Sequence, residues 1–274
     1  MKKDINIPLI LDVVKRAGNL FLADYKKNTI AGDKSQLFAQ LDEIDERCMA
    51  VLKANLSAEF PDTPWNIGDE FDSDGQKQPL DVPEYWLCDA MDGAIQYLQH
   101  IPGWTINLVL IRNGKPYFSV IYDPLAQELF WAQEGNGAFI NGEPIKPSTK
   151  TDKEVMLAIF EYGHQEPAIP GFNQKHGAAV TDLLNHFGVV RNYGPHGLQL
   201  AYVGAGRIDA FHQLGLDTYN WLAGVLIAKE AGADILNSDG GPWTWGDESL
   251  FVAAPGIAEA FLKTKTANQA ANNI

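Results

Sequence analysis

The sequence has little cysteine, little positive charge and no long apolar run, and each shortage removes a class of protein. Two cysteines, Cys48 and Cys88, do not make a disulfide framework; neither sits in a CxxC pair, so both are expected to be buried thiols. Lysine and arginine number 21 against 35 aspartates and glutamates, for a formal net charge of -14. A surface this acidic repels a polyanion, and no block of Lys and Arg is present to meet nucleic-acid phosphates. Nucleic acid is therefore not an expected partner. The start, MKKDINIPLILDVVKRAGNL, lacks the long apolar stretch of a signal peptide, its apolar run being broken at Asp12. No segment approaches the roughly 18 uninterrupted apolar residues of a membrane span, so no membrane is expected and a cytoplasmic location follows by default. The glycine-rich GNG and GAG stretches lack the G-K-[ST] ending of a P-loop. His164, His176, His196 and His212 do not have the spacing of a metal-ligand set and are expected to be satisfied surface or cleft histidines.

What is present suits a large α/β protein. Hydrophobic residues make up 46% of the 274, enough for a sizeable core in one large domain or two subdomains sharing a cleft. Apolar residues from Leu9 to Phe21 recur at helical spacing, with Pro8 near the start, and Leu37, Leu41, Ile44, Cys48, Val51 and Leu52 mark a second helix. A Pro-, Gly- and Asp-rich stretch follows, with a short strand around Trp65 to Ile67. Tyr85 to Cys88 is an apolar run ending at Asp89, with a turn or helix start at AMDG. TINLVLI and YFSVIYDP read as strands joined by the turn RNGKP, and ELFWAQEGNGAFINGEPI continues the hairpin pattern.

The pattern changes near residue 150. VMLAIF, Val189 with Val190, RIDAFH and SLFVAAP are predicted strands. Between them, 176–187, LQLAYVGAG and TYNWLAGVLIAKEAGA are predicted helices, the last stopping at Gly232, and a short helix follows through Phe261. The expectation is an α+β subdomain with an antiparallel sheet over 1–145, an α/β subdomain closing a cleft over 146–265, and a disordered tail over 266–274.

The chemistry concentrates in WLCDAMDGA. Asp89 and Asp92 lie at the end of an apolar strand, and Gly93 permits a tight path; strand C-terminal ends are where ligands gather in open sheets. Two carboxylates at such a turn could share one hard cation or flank a pair of them, and the Met91 carbonyl could add an oxygen. Asp69 and Glu70 form a second acidic pair, in the loop before that strand. Asp42 and Asp45, three apart, share a helix face, although Glu43 and Glu46 make a solvated acidic surface a competing account. Capping or loop solvation accounts for each pair without chemistry.

The order GDE, WLCDAMDGA, then EGNGAFINGEPI, RIDAF and EAG resembles the inositol-monophosphatase-like superfamily over most of the chain. That family carries a G-E-E-like motif, D-P-[IL]-D-G-T, and W-D-x-A-x-G before a helix ending in E-A-G. The resemblance implies a layered αβαβα sandwich, and a magnesium-dependent, lithium-sensitive phosphomonoesterase acting on a small phosphate ester, with manganese as an alternative ion. It also implies that Glu70 binds metal and orients water, and that Asp89 is shared between two ions. Met91 would bind the first ion through its carbonyl and Asp92 the second, while Asp42 or Asp45 would support the water. A homodimer is expected on the same ground.

The departures fall at the site. The family threonine is Ala94, the tryptophan-aspartate pair is Tyr219 and Asn220, and Gln213 stands where an acidic residue often meets a sugar hydroxyl. RNYGPHG replaces a run like RxxGSAA, placing Pro195 and His196 at a substrate-side helix start. Gly93, Ala94, His196 and Gln213 are thus the candidate substrate-side residues, and Asn220 a weakened second-ion ligand. Asp217, three residues earlier, is a possible substitute carboxylate and Thr218 a substitute hydroxyl, although an N-cap role explains both. Two functions follow: a phosphatase, or a catalytically degraded relative that binds a phosphorylated ligand or a protein partner.

Overall fold

The computed structural model describes residues 5–67, 74–162 and 170–263. Two helices open the chain, α1 (Ile7–Asp24) and α2 (Lys34–Leu56). A seven-stranded sheet follows in sequence order: β1 (Trp65–Ile67), β2 (Glu84–Asp92), β3 (Thr105–Arg112), β4 (Lys115–Asp123), β5 (Glu128–Gln133), β6 (Ala138–Ile140) and β7 (Glu143–Pro144). Only β1 pairs in parallel; the remainder is an antiparallel meander. A short helix, α3 (Ala94–Leu98), interrupts it after β2. Two of its turns use Asn-Gly, Asn113-Gly114 and Asn141-Gly142, with positive φ at both residues as a tight hairpin requires.

The second half contains β8 (Leu157–Tyr162), α4 (Phe172–His186), β9 (Val189–Arg191), α5 (His196–Gly204), β10 (Ala210–Leu214), α6 (Thr218–Ala231), β11 (Asp234–Leu236) and β12 (Ser249–Ala253). Its five strands are ordered β11-β12-β10-β8-β9, with β12 antiparallel to both its neighbours and the rest parallel. A helix starting at 257 is described through 263.

Strand alternation assigns the layers. Trp86, Cys88, Ile106 and Leu108 face α1 and α2, while Tyr85, Leu87, Val109 and Ile111 face α5 and α6. In the second sheet, Ile159, Phe211, Leu250 and Val252 face α5 and α6 from the other side, and Ala158, Phe160, Phe251 and Ala253 pack on α4 and Phe261. The order is helix, sheet, helix, sheet, helix: the expected αβαβα sandwich. α6 is buried from Thr218 to Ala228 because it lies between two sheets, which is why its sequence reads apolar on every side.

Three details differ from the sequence reading. β2 continues past Asp89 to Asp92, with a register shift between the two, rather than turning at AMDG. α4 begins at Phe172, before the predicted 176, after Gly171 in a left-handed conformation. β11 was not predicted; three half-buried residues at a sheet edge are too few to show alternation. The two cysteines are buried thiols. Among the described residues no helix is long and apolar enough to cross a membrane. The predicted tail, 266–274, lies outside the described residues.

Candidate functional site

A cleft of about 470 Å³ opens between the α2 residues Leu37, Phe38 and Leu41, the end of β2 with the start of α3, and the start of α5. Asp89, Met91, Asp92, Gly93, Ala94, His196 and Asn220 all line it. The bulged end of β2 delivers the first three. Gly93 then adopts φ 87°, where a Cβ would come within 2.6 Å of the Gly103 carbonyl oxygen, so only glycine fits this corner.

Asp92 is 6% exposed and its carboxylate holds the start of α5. Oδ1 accepts from the His196 N–H at 3.2 Å; Oδ2 accepts from the Gly197 N–H at 2.7 Å and from Asn107 Nδ2 at 3.0 Å. Pro195 at the N-cap offers no side-chain acceptor, and Asp92 supplies one from another element, where the helix end favours negative charge. Burial lifts the Asp92 carboxyl to about 6, against the opposing influence of the His196 charge and the Gly197 and Asn107 donors.

His196 sits inside this structure. Its Nδ1 is 3.1 Å from Asp217 Oδ2 and its Nε2 3.7 Å from Glu161 Oε2. Burial disfavours the ring's charge, but contacts with Asp217 and Glu161 and the charge of Asp92 outweigh it, holding its pKa well above the usual 6.5. Glu161 accepts from Asn192 Nδ2 at 2.8 Å, the Gly194 N–H at 2.8 Å and Gln199 Nε2 at 2.9 Å. Burial raises its pKa, yet His196 and these donors hold it below the ordinary range.

Asp217 stands at the N-cap of α6 but its side chain makes no capping hydrogen bond. It accepts instead from Asn220 Nδ2 at 2.8 Å and Gln213 Nε2 at 2.7 Å, while Gln213 Oε1 accepts from Trp221 Nε1 at 2.6 Å. The N-cap account of Asp217 therefore holds by position and not by hydrogen bonding.

The other expected residues lie as follows. Asp89 is half-buried and lines the cleft with Asn220. Asp42 is exposed on α2; Asp45 is half-buried, and its charge contributes to raising the Cys88 thiol, after larger contributions from the Cys48 contact and burial. Neither belongs to the cleft lining, and nor does Gln213. Asp69, Glu70 and His164 lie outside the described residues. Sequence reasoning missed Glu161 and Asn107. Glu161 carried a signal, an acid near the end of a buried parallel strand; Asn107, inside the apolar TINLVLI, carried only its polarity.

For one hard cation the described donors fit in kind: the cleft-lining Asp89 carboxylate and Met91. For a second the set is poorer in charge, because Asp92 already accepts three hydrogen bonds and Asn220 offers a neutral amide whose Nδ2 is given to Asp217. No three His, Cys, Asp or Glu side chains form a metal-ligand group among the described residues.

Comparison with known proteins places the chain. It is 26% identical over 251 residues to the Nus factor SuhB of Escherichia coli (strain K12), covering 90% of this chain and 91% of that one. It is 29% identical over 226 residues to the inositol-1-monophosphatase of Mesorhizobium japonicum, covering 81% of each. The solved inositol monophosphatase of Anabaena (Nostoc) sp. PCC 7120 superposes with a TM-score of 0.75 at 24% identity, over 96% of this chain and 97% of that one; this likeness establishes the fold. The model of the inositol monophosphatase family matches residues 7–271, and the chain belongs to that family.

Proposed function

We propose that this chain binds a small phosphate monoester in the cleft, beside a single magnesium or manganese ion held at Asp89, and hydrolyses it slowly or not at all. At the level of the family it is similar to inositol-monophosphatase-like phosphomonoesterases. The observation that carries the narrower reading is the closed polar set at the base of the cleft. Asp92, His196 and Asn220 line the cavity, and each is also engaged within the protein, Asp92 by the His196 N–H and the other two by Asp217.

An ion at Asp89 would supply positive charge against the phosphate oxygens, which a chain of net charge -14 otherwise repels. Ala94 lines the cleft with a methyl group, so it cannot hold a water by a side-chain hydrogen bond. Loss of an orienting group that acts in the transition state costs on the order of 10²-fold. Exposed Phe38, Ile95, Tyr162 and Tyr193 at the lining offer apolar area to the alcohol part of the ester.

The second reading is a competent magnesium-dependent phosphomonoesterase. It is favoured by the placement of Asp89, Met91, Gly93 and Asn220 around one cavity. Calorimetric binding and phosphate release, measured on inositol, sugar and nucleotide monophosphates with magnesium, separate the two. Binding that Asp89→Ala weakens, with little release, supports the proposal. Fast release abolished by Asp89→Ala establishes the second reading, and no binding by any ester rejects both.

A further inference from the structure

Three buried carboxylates converge beside the cleft: Glu161 is 5% exposed, Asp92 6% and Asp217 1%. They come from three separate elements, the ends of β8 and β2 and the start of α6. Charges of one sign withdrawn from water repel strongly, and such a cluster needs a cation or protons among its members.

The side chain between them is His196, itself 8% exposed. One ring nitrogen faces Asp217 at 3.1 Å and the other faces Glu161 at 3.7 Å, while the same residue's backbone N–H donates to Asp92. We propose that the His196 ring stands in for a second divalent cation, so that the cleft is built to accept one ion and not two. This rests on the reading of the cleft as a phosphate and metal site.

The surroundings are adapted to the ring. Asn220 gives its Nδ2 to Asp217 at 2.8 Å, as an amide can and a carboxylate cannot. Gln213 gives a second amide hydrogen to the same carboxylate at 2.7 Å. A Cβ at Gly197 would lie 3.0 Å from Asp92 Oδ2 and 2.7 Å from Asn107 Nδ2, so backbone and carboxylate are already in close approach. An aspartate at 220 would put another negative group against Asp217, whose other oxygen lies 3.1 Å from the His196 ring.

Manganese stoichiometry by equilibrium dialysis on the full chain tests this without reference to activity. The proteins are wild type, Asn220→Asp, and two double variants, His196→Gln with Asn220→Asp and His196→Ala with Asn220→Asp. Wild type and Asn220→Asp are expected to bind no more than one ion, and each double variant one more than wild type. Two ions in wild type, a gain from Asn220→Asp alone, or no gain in either double variant overturns the inference. A double variant that is unfolded without metal is expected to refold as manganese is added; failure of both to do so also counts against it. A wild type binding no ion removes the single ion from the proposed function, and the gain in the double variants still decides the role of His196.

Discussion

Gly197 donates its backbone N–H to Asp92 Oδ2 at 2.7 Å, and a Cβ on the same residue would sit 3.0 Å from that oxygen. The contact ties the end of β2 to the start of α5 across the middle of the sandwich. Asp92→Ala would leave the His196 and Gly197 N–H groups and Asn107 Nδ2 without this acceptor. The expected loss is at least about 2 kcal/mol in chelator, since each unsatisfied buried donor costs about 1–3 kcal/mol. Asp92→Asn, which keeps an acceptor and sheds a buried charge, should lose less. Urea midpoints of the two variants check both statements, and an unshifted Asp92→Ala would remove the capping role.

Gly224→Ala should destabilise through overpacking. A Cβ there would lie 2.6 Å from the Gly197 carbonyl oxygen and in conflict with the Leu200 side chain, so α5 and α6 would have to separate. Overpacking of this kind costs about 1–3 kcal/mol. Thermal unfolding reads the change; a midpoint equal to wild type would mean that the layer yields freely.

Thr218 is fully buried, and its Oγ1 has no hydrogen-bond partner among the described residues. Replacing the hydroxyl with a methyl of similar shape removes an unsatisfied group, so Thr218→Val is expected to be neutral or stabilising by up to about 1 kcal/mol. If the variant is instead clearly less stable, or loses ester binding with the fold intact, Thr218 has a polar role in the cleft.

Stability of the metal-free protein should depend on His196 in one direction. The folded-state pKa of the ring lies well above its usual 6.5. Its stabilisation is therefore fully present below 6.5 and is lost as pH rises through the folded value. Asp92, raised from 3.8 to about 6, also makes stability fall with rising pH, but between those two values. The stability difference between wild type and His196→Gln should thus be largest near pH 6 and shrink toward alkaline pH. Denaturation curves in chelator across that range measure it, and a difference that grows with pH would contradict the assigned environment.

The layers were legible because alternation and helical spacing record which faces are apolar, and both sheets bury both faces. Asp89 and Asp92 were legible as a pair, yet not their different fates. Both line the cleft, but Asp92 also holds the start of α5, and only the three-dimensional path of that helix reveals it. His196 showed no metal-ligand spacing, because its neighbours Asp92, Glu161 and Asp217 are distant in sequence. β11 was lost for want of length.

The α5 and α6 layer has sheet on each side, so neither sheet can be stripped away without baring the same helices. Cooperativity follows from that shared middle. Opening α6 to solvent requires disrupting both apolar interfaces, and its amide hydrogens should exchange at a rate set by global unfolding rather than by local fluctuation. Two halves that differ in strand pattern are therefore coupled into a single thermodynamic unit by the helices between them.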